Sequence, residues 1–221
     1  MKIFLDTADT ESIRNHFSTG LIDGVTTNPT LIMKSGRDPE HVYQEIKDIG
    51  VKDISMEVVG TNWQMIKEGK RLSEKFGDVA TIKLPCSKDG LFACKALSEE
   101  GIRTNVTLIF CAAQAILSAK AGATYVSPFI GRLDDNSIAG AEVVRSIAGV
   151  YCQHGVKTQV LAASIRDVYK VTRAFYNGAN VVTMPPSIFE KMYNNIFTDK
   201  GLELFDKDFE KIKKIKDMNE G

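Results

Sequence analysis

The sequence predicts a (β/α)8 barrel of the TIM type, formed by a single domain, residues 1–221, with an additional C-terminal helix. Short β-branched runs alternate with stretches of helical periodicity along the whole chain, which is typical of a parallel sheet. The length of 221 residues suits a compact barrel and leaves no room for a second domain. An open doubly wound sheet is the alternative. It is disfavoured because the first turn, DTADTES, contains no glycine of a dinucleotide-binding fingerprint.

Eight strands are expected, and each is followed by ten or more residues of helical pattern. The first strand is KIFLD, and the first helix should begin near Asp9. The predicted strands cover residues 2–6, 22–27, 54–59, 80–85, 104–109, 124–129, 158–164 and 180–185. Eight strands and eight helices account for the barrel.

The C-terminal stretch, residues 199–217, predicts an amphipathic helix. Its apolar residues recur at spacings of three and four, which places them in one stripe opposite a face of Lys, Asp and Glu. The stripe consists of Leu202, Phe205, Phe209, Ile212 and Ile215. It can cover the chain's own barrel or dock on a neighbouring subunit, and the sequence leaves both alternatives open.

The charge balance argues against several classes of function. Lys and Arg number 28, as do Asp and Glu, so no long-range field attracts nucleic acid or a membrane surface. No apolar run approaches the ~20 residues that cross a bilayer. Asp6 stands where a signal peptide needs its apolar centre. We therefore expect a soluble, cytoplasmic protein with no nucleic-acid or membrane partner.

The cysteines and histidines do not form a metal-binding pattern. The four cysteines, at positions 86, 94, 111 and 152, include no CxxC pair. The three histidines, at positions 16, 41 and 154, form neither HxH nor HExxH. We expect no metal site, and we expect the cysteines to serve as small apolar fillers.

Charged residues inside predicted strands are the most informative feature. Strands of a parallel barrel are buried on both faces and should be almost uniformly apolar. Because side chains alternate across a strand, Ser55 and Glu57 share the barrel side of the third strand. The same parity places Thr81 and Lys83 inside the barrel on the fourth strand.

Other strands direct polar or aromatic side chains to the same end. Active sites of barrel enzymes are assembled at the carboxyl ends of the strands. From Asp6 through Asn28, Glu57 and Lys83 to Thr107, successive candidates are separated by 22 to 29 residues, one βα unit each. These further candidates are Asp6, Thr26, Asn28, Asn105, Thr107, Ser127, Phe129 and Ser164.

Lys83, Glu57 and Asp6 together predict covalent catalysis by an amine. Buried ions lose hydration, so three of them should not gather for stability alone, although a buried salt bridge is the structural alternative. Desolvation disfavours the ammonium form, so Lys83 should supply a usable fraction of free amine. An amine attacks carbonyl carbons, and two carboxylates can carry the proton transfers that form an iminium. The pattern predicts Schiff-base aldol chemistry.

Two arginines that follow rim strands predict an anion site. Arg132 lies in SPFIGRLDD, and Arg166 lies in AASIRDV beside Ser164. Guanidinium groups and helix N-termini hold phosphate well. The alternative is surface ion pairing with nearby carboxylates: Asp134 or Asp135 for Arg132, and Asp167 for Arg166.

Seven segments, running from the first strand to the seventh, resemble the small transaldolase subfamily, which also includes fructose-6-phosphate aldolases. TTNPT and SPFIGR together are highly specific, and the resemblance covers Asp6 to about Pro185. The segments are LDTAD (5–9), GVTTNPTLI (24–32), MEV (56–58), IKLP (82–85), NVTLIF (105–110), YVSPFIGRLDD (125–135) and AASIR (162–166). The resemblance implies a class I aldolase-type barrel that needs no cofactor.

The resemblance also implies roles for individual residues. Lys83 matches the lysine that forms a Schiff base with a ketose phosphate, and Asp6 matches the residue that takes the C4 hydroxyl proton. Glu57 matches the carboxylate that relays protons through a water held with Thr107. The substrate-binding set implied at the rim is Thr26, Asn28, Ser55, Asn105, Ser127 and Phe129, with Arg132, Ser164 and Arg166 at the phosphate.

The implied reaction belongs to the pentose phosphate pathway. It transfers a dihydroxyacetone unit from sedoheptulose 7-phosphate to glyceraldehyde 3-phosphate, which gives erythrose 4-phosphate and fructose 6-phosphate. The reaction also runs in the reverse direction. Aldolases of the group carry Gln and Tyr at the positions of Glu57 and Phe129, so the resemblance favours transaldolase over an aldolase that releases dihydroxyacetone. A binding module and a non-covalent isomerase are further alternatives. Members form homo-oligomers, as pentameric rings that can stack into decamers.

Overall fold

Eight parallel strands close into a barrel in the computed structural model, which describes residues 1–219. Each strand pairs with the next along the chain, and β8 pairs back with β1 through Phe4 and Thr183. The strands are β1 Lys2–Asp6, β2 Gly24–Thr26, β3 Ile54–Glu57, β4 Ala80–Pro85, β5 Thr104–Ile109, β6 Tyr125–Pro128, β7 Gln159–Ala162 and β8 Val181–Met184. The predicted (β/α)8 fold is confirmed, and the open sheet is excluded.

Eleven helices lie within residues 1–219, two more than the eight barrel helices and the additional C-terminal helix that the sequence predicts. Three of the βα units carry two helices each, after β2, β6 and β8. The helices are α1 Thr10–Phe17, α2 Pro29–Ser35, α3 Pro39–Ile49, α4 Asn62–Phe76, α5 Lys88–Glu99, α6 Ala112–Lys120, α7 Ile130–Asp134, α8 Gly140–Gln153, α9 Val168–Tyr176, α10 Pro186–Lys191 and α11 Ile196–Asn219. After β2 the division has a local cause. Gly36 takes a left-handed conformation (φ 66°) that ends α2, and Asp38 caps α3.

Two apolar cores hold the barrel together. The larger lies between strands and helices, and includes the outward strand residues Leu5, Met56 and Ile82. The smaller fills the barrel interior with Phe4, Tyr125, Leu161, Ala163 and Val181. Phe4 and Tyr125 pack edge-on against each other, and Leu161 and Ala163 extend this core to the C-terminal mouth of the barrel.

A polar network closes the N-terminal end of the barrel. The buried carboxylate of Asp53 accepts hydrogen bonds from Thr81 Oγ1 (2.8 Å), Tyr125 Oη (2.8 Å) and Arg103 Nη1 (2.7 Å). The Tyr125 ring packs edge-on against Phe4. Each of these polar groups is satisfied, so this end serves packing and stability.

The terminal helix α11 leaves its apolar stripe exposed. Leu202, Phe205, Phe209, Ile212 and Ile215 are 50–72% exposed, and none of the described residues of α11 is buried. The chain's own barrel therefore does not cover the stripe. No helix within residues 1–219 is long and apolar enough to span a membrane.

The cysteine prediction is right for one residue and wrong for two. Cys94 is fully buried and fills space in the larger core. Cys111, which precedes α6, and Cys152, in the last turn of α8, are both exposed. Cys86 is partly buried after β4, and all four cysteines are free.

Candidate active site

A cavity of about 470 Å³ opens at the carboxyl ends of the strands. Of the thirteen residues predicted for the site, all but Ser55 and Asn105 line it. The predicted residues on its wall are Asp6, Thr26, Asn28, Glu57, Lys83, Thr107, Ser127, Phe129, Arg132, Ser164 and Arg166. Parity along the strands therefore places the polar side chains at one mouth.

Lys83 lies inside the barrel and is paired with Glu57. The two residues are register neighbours on β3 and β4, and Lys83 Nζ lies 2.9 Å from Glu57 Oε2. Lys83 Nζ also donates a hydrogen bond to the carbonyl oxygen of Thr27 (2.8 Å). The side chains are 6% and 13% exposed. A proton can pass from the ammonium to the carboxylate along this contact, which would leave a free amine facing the cavity.

Asp6 is the second carboxylate of the cavity. Its Oδ1 accepts a hydrogen bond from Thr26 Oγ1 (2.8 Å), which in turn lies 2.7 Å from Thr183 Oγ1. Burial raises the pKa of Asp6 above its usual value, and Glu57 adds to this effect, although the nearby ammonium of Lys83 opposes it. Asp6 therefore holds a proton more readily than an exposed aspartate, which suits exchange with a substrate hydroxyl.

Thr107 presents a hydroxyl that lacks a protein partner. Its Oγ1 is buried and makes no hydrogen bond to the described residues, yet the residue lines the cavity. An unsatisfied buried hydroxyl costs free energy unless a ligand or a water bonds to it. This hydroxyl therefore leaves a hydrogen bond unmade at a residue of the cavity wall, and a water or a ligand could satisfy it.

Asn28 begins a helix as well as lining the cavity. Its Oδ1 caps α2 by accepting from the backbone N–H of Leu31 (3.0 Å), so the amide nitrogen remains as a donor. The helix thus orients the side chain before any ligand is bound.

Ser55 and Asn105 lie beneath the cavity floor. Asn105 donates to Ser55 Oγ (3.1 Å) and accepts from Ser127 Oγ (2.6 Å), and both Ser55 and Asn105 are fully buried. Ser127 is the member of this chain of hydrogen bonds that reaches the cavity wall. The alternation of side chains along each strand identified the correct face for all three residues. It carries no information about how far below the mouth of the barrel a side chain lies.

Two guanidinium groups and Ser164 form a cationic side of the mouth. Arg132 stacks over the Phe129 ring, 4.9 Å from its centroid, and makes no ion pair with a carboxylate of the described chain. Arg166 Nη2 pairs with Asp135 (2.8 Å). The surface pairings considered from local sequence are therefore wrong: Asp167 instead caps α9, and Asp134 pairs with Lys170.

Gly131 joins helix α7, which carries Arg132, to the loop that carries Arg166. Its backbone N–H donates to the carbonyl oxygen of Ser164 (2.9 Å), and a Cβ at this position would lie 2.0 Å from that oxygen. Only glycine permits this close approach, which brings Arg132 and Arg166 to one side of the cavity.

Sequence reasoning missed Thr183, which lines the cavity from β8. The parity test would have found it, since Thr183 alternates with the outward-facing Val182 and Met184. The signal is weak, because threonine is common in strands for reasons of packing alone.

A larger groove of about 840 Å³ lies at the opposite end, between α6 and α8. Its lining includes Lys120, His154 and Lys157, and no carboxylate occurs among the described residues around it. Among the described residues this groove therefore lacks the paired carboxylates found at the C-terminal mouth.

A buried lysine between two carboxylates, at the C-terminal mouth and beside a cationic wall, defines a barrel enzyme of the aldolase type. The chain belongs to the transaldolase/fructose-6-phosphate aldolase family. The sequence profile described as "Transaldolase/Fructose-6-phosphate aldolase" matches residues 3–219. The resemblance found in the sequence is thereby confirmed.

Similar curated proteins span almost the same length as this chain. A protein of Caulobacter vibrioides named "Probable transaldolase" is 52% identical over 210 residues, covering 95% of this chain and 96% of its own. A protein of the same name from Paracoccus denitrificans is 51% identical over 212 residues, with 96% and 97% covered. One from Nitrosopumilus maritimus is 48% identical over 215 residues, with 96% of both chains covered.

Proposed function

We propose that the protein is a transaldolase, a transferase that moves a dihydroxyacetone unit from a ketose phosphate to an aldose phosphate through a Schiff base on Lys83. The donor is sedoheptulose 7-phosphate or fructose 6-phosphate. The observation that carries the proposal is the Lys83 amine inside the barrel, 2.9 Å from the Glu57 carboxylate. The names of the relatives and the cationic side of the cavity support it.

The reaction begins when Glu57 accepts a proton from the Lys83 ammonium. The free amine attacks the C2 ketone carbon, and a proton moves from the attacking nitrogen to the former carbonyl oxygen to give a carbinolamine. Glu57 then returns its proton to the departing hydroxyl, so water leaves and an iminium remains on Lys83. The Thr107 hydroxyl, buried and unpartnered among the described residues, is suited to hold that water.

Cleavage follows when Asp6 takes the proton of the C4 hydroxyl. The C3–C4 bond breaks, its electron pair moves into the iminium to give an enamine, and an aldose phosphate leaves. The reverse steps on an incoming aldehyde complete the transfer. Arg132, Ser164 and Arg166 lie where they can hold the phosphate of donor or acceptor.

The choice of transferase over aldolase rests on Glu57 with Phe129. A phenyl ring cannot hydrogen-bond a water that would protonate and release the enamine. The Phe129 ring also contacts Phe110 edge-on and the Arg132 guanidinium over its face. The enamine is then protected until an acceptor aldehyde arrives. Fructose-6-phosphate aldolase, which releases free dihydroxyacetone, is the alternative within the family.

Borohydride trapping with fructose 6-phosphate tests the covalent step. A reduced three-carbon adduct is expected on the peptide that contains Lys83, and K83M should form none. A folded protein without the adduct would instead be a non-covalent isomerase or a sugar-phosphate binding module. Turnover that requires erythrose 4-phosphate supports transaldolase, whereas release of glyceraldehyde 3-phosphate without acceptor supports the aldolase.

We also propose that the chain forms a homo-oligomer in the cytoplasm through α11. The exposed stripe on α11 presents several large apolar residues to solvent, and the same chain exposes Trp63 and Phe92 in edge-to-face contact on α4 and α5. Both are surfaces that association would bury. Light scattering of the whole chain and of the double variant F205E/F209E tests this. Equal monomeric masses for both proteins would reject it.

A further inference from the structure

Strand β5 contains one residue more than β6 between two successive pairs of their register. Val106 pairs with Val126 on β6, but the next pair is Ile109 with Pro128, so three steps on β5 match two on β6. The extra residue lies in this interval, where Leu108 has a φ of 59°. This is a β-bulge with a leucine in the left-handed region, which glycine or asparagine adopts more readily.

The bulge changes which side chains face the cavity. Regular alternation from the outward Val106 would turn Thr107 inward, Leu108 outward and Ile109 inward. Instead Thr107 and Leu108 both line the cavity, and Ile109 packs in the outer core. Two successive residues therefore share the cavity wall, and the outward-facing position moves from residue 108 to residue 109.

The position of the bulge matters because of its neighbour on β4. Lys83 pairs with Asn105 on β5, and Pro85 pairs with Thr107. Thr107 therefore faces the same side as Lys83 and lies two residues closer to the mouth than Asn105, the register partner of Lys83. The Thr107 hydroxyl is the buried, unpartnered group already described. The Thr107 hydroxyl, which has no partner among the described residues, is therefore adjacent to the strained backbone of Leu108. Strain of this kind persists where the surrounding structure enforces it.

We propose that Leu108 is a positioning residue: its left-handed conformation aims the Thr107 hydroxyl at the water that leaves or enters at the Lys83 carbinolamine. The inference rests on the proposed function, whose water-forming and water-consuming steps occur at that carbon. Leu108 acts through the backbone, so its conformation matters more than the identity of its side chain.

Three substitutions separate conformation from side-chain chemistry. L108I keeps volume and apolarity, but its branched Cβ disfavours the left-handed region. L108N has nearly the shape of leucine and tolerates that region, and L108G adopts it freely. We expect L108I to lower kcat about 10²-fold with little change in KM, while L108N and L108G stay much closer to wild type. L84I, the same exchange on the outer face of β4, is the control and should retain its kcat.

A double-mutant cycle tests the route through Thr107. T107V removes the hydroxyl, and L108I should then cost little more in a T107V background, because both changes remove the same interaction. Full additivity of the two losses would overturn the inference. So would a wild-type kcat in L108I, or a loss in L108N and L108G as large as in L108I.

Thermal unfolding provides a readout that needs no substrate. The melting temperature of L108G should be at least as high as that of L108A, because alanine keeps the strain of the left-handed conformation and glycine does not. In a regular strand the glycine variant would be the less stable of the two. A higher melting temperature for L108A would overturn the inference even if the protein is a transaldolase. Failure of borohydride trapping in the wild type would reject the proposed function and leave this unfolding result to be judged separately.

Discussion

Lys83 and Glu57 face each other across the β3–β4 pair, with Nζ 2.9 Å from Oε2 and both side chains nearly enclosed by the barrel. The contact satisfies two buried charges and also provides a route for a proton between an amine and a base. A structural ion pair and a catalytic pair have the same geometry here. Stability and chemistry must therefore be measured separately.

Removal of Lys83 should cost stability as well as activity. K83M leaves the Glu57 carboxylate buried without its partner, and we expect a loss of about 3–5 kcal/mol in unfolding free energy near neutral pH. The double variant K83M/E57Q should recover most of this loss, because no buried charge is left uncompensated. Urea denaturation of the three proteins measures the difference. Equal stability of the single and double variants would contradict it.

Replacement of Asp6 should separate stability from function. Because the pKa of Asp6 is raised in the folded chain, its contribution to stability is present below the ordinary value of 3.8 and is lost as the pH rises through the raised pKa. D6N should therefore be more stable than wild type at neutral pH, and the gain should disappear in acid.

The same D6N variant should lose bond cleavage by about 10²–10⁴-fold, the range for a lost general base. Formation of the Lys83 adduct should survive, since Glu57 serves that step. Thermal melts at several pH values and single-turnover cleavage assays check both expectations. If D6N is less stable than wild type at neutral pH, the attraction between the Asp6 carboxylate and Lys83 outweighs the cost of burying that carboxylate.

Phe129 should control the fate of the enamine. F129Y adds a hydroxyl that can hold a water beside the bound three-carbon unit, so release of dihydroxyacetone without acceptor should rise about tenfold. F110Y is the matched control, because Phe110 contacts Phe129 edge-on and is not part of the cavity lining. The measurement is product release with and without erythrose 4-phosphate. A similar rise in both variants would point to a general loosening of the site.

Arg166 should act on phosphorylated substrates alone. R166A removes a charge-assisted hydrogen bond, and KM for fructose 6-phosphate should rise about 10- to 100-fold. Activity on a donor without phosphate should be unaffected. R173A removes a guanidinium that stacks on Tyr176 outside the cavity, and should leave both substrates unchanged.

D135N complements the Arg166 variant. The Arg166–Asp135 pair is 55% and 54% exposed, so its loss should change KM less than about threefold. A large effect of D135N would mean that Asp135 holds Arg166 in place, and would overturn this expectation. Steady-state kinetics with the two donors provide the measurement.

The Asp53 network at the other end of the barrel should matter for folding and not for chemistry. D53N weakens three hydrogen bonds, including the one from Arg103, so we expect a loss of about 2–3 kcal/mol. The kcat of the folded fraction should equal that of wild type, because the network lies at the end remote from Lys83. A changed kcat at full folding would show coupling between the two ends.

The sequence by itself determined the fold class, the family and the face of the barrel to which Lys83 and Glu57 belong. These are local properties: alternation of strands with helices identifies the barrel, and the two-residue period of a strand fixes which side chains share a face. The same reasoning explains why every predicted strand end agrees with the observed end to within two residues.

Tertiary structure alone decided the rest, because it depends on contacts between distant segments. The hydroxyls of Thr183 and Thr26 are in contact only because β8 closes on β1. Arg166 forms an ion pair with Asp135, which lies in a different βα connection. Ser55 and Asn105 lie below the floor because the barrel packs in layers. Leu108 enters the cavity because a bulge offsets the strand register, and no periodicity in one strand can report a mismatch with its neighbour.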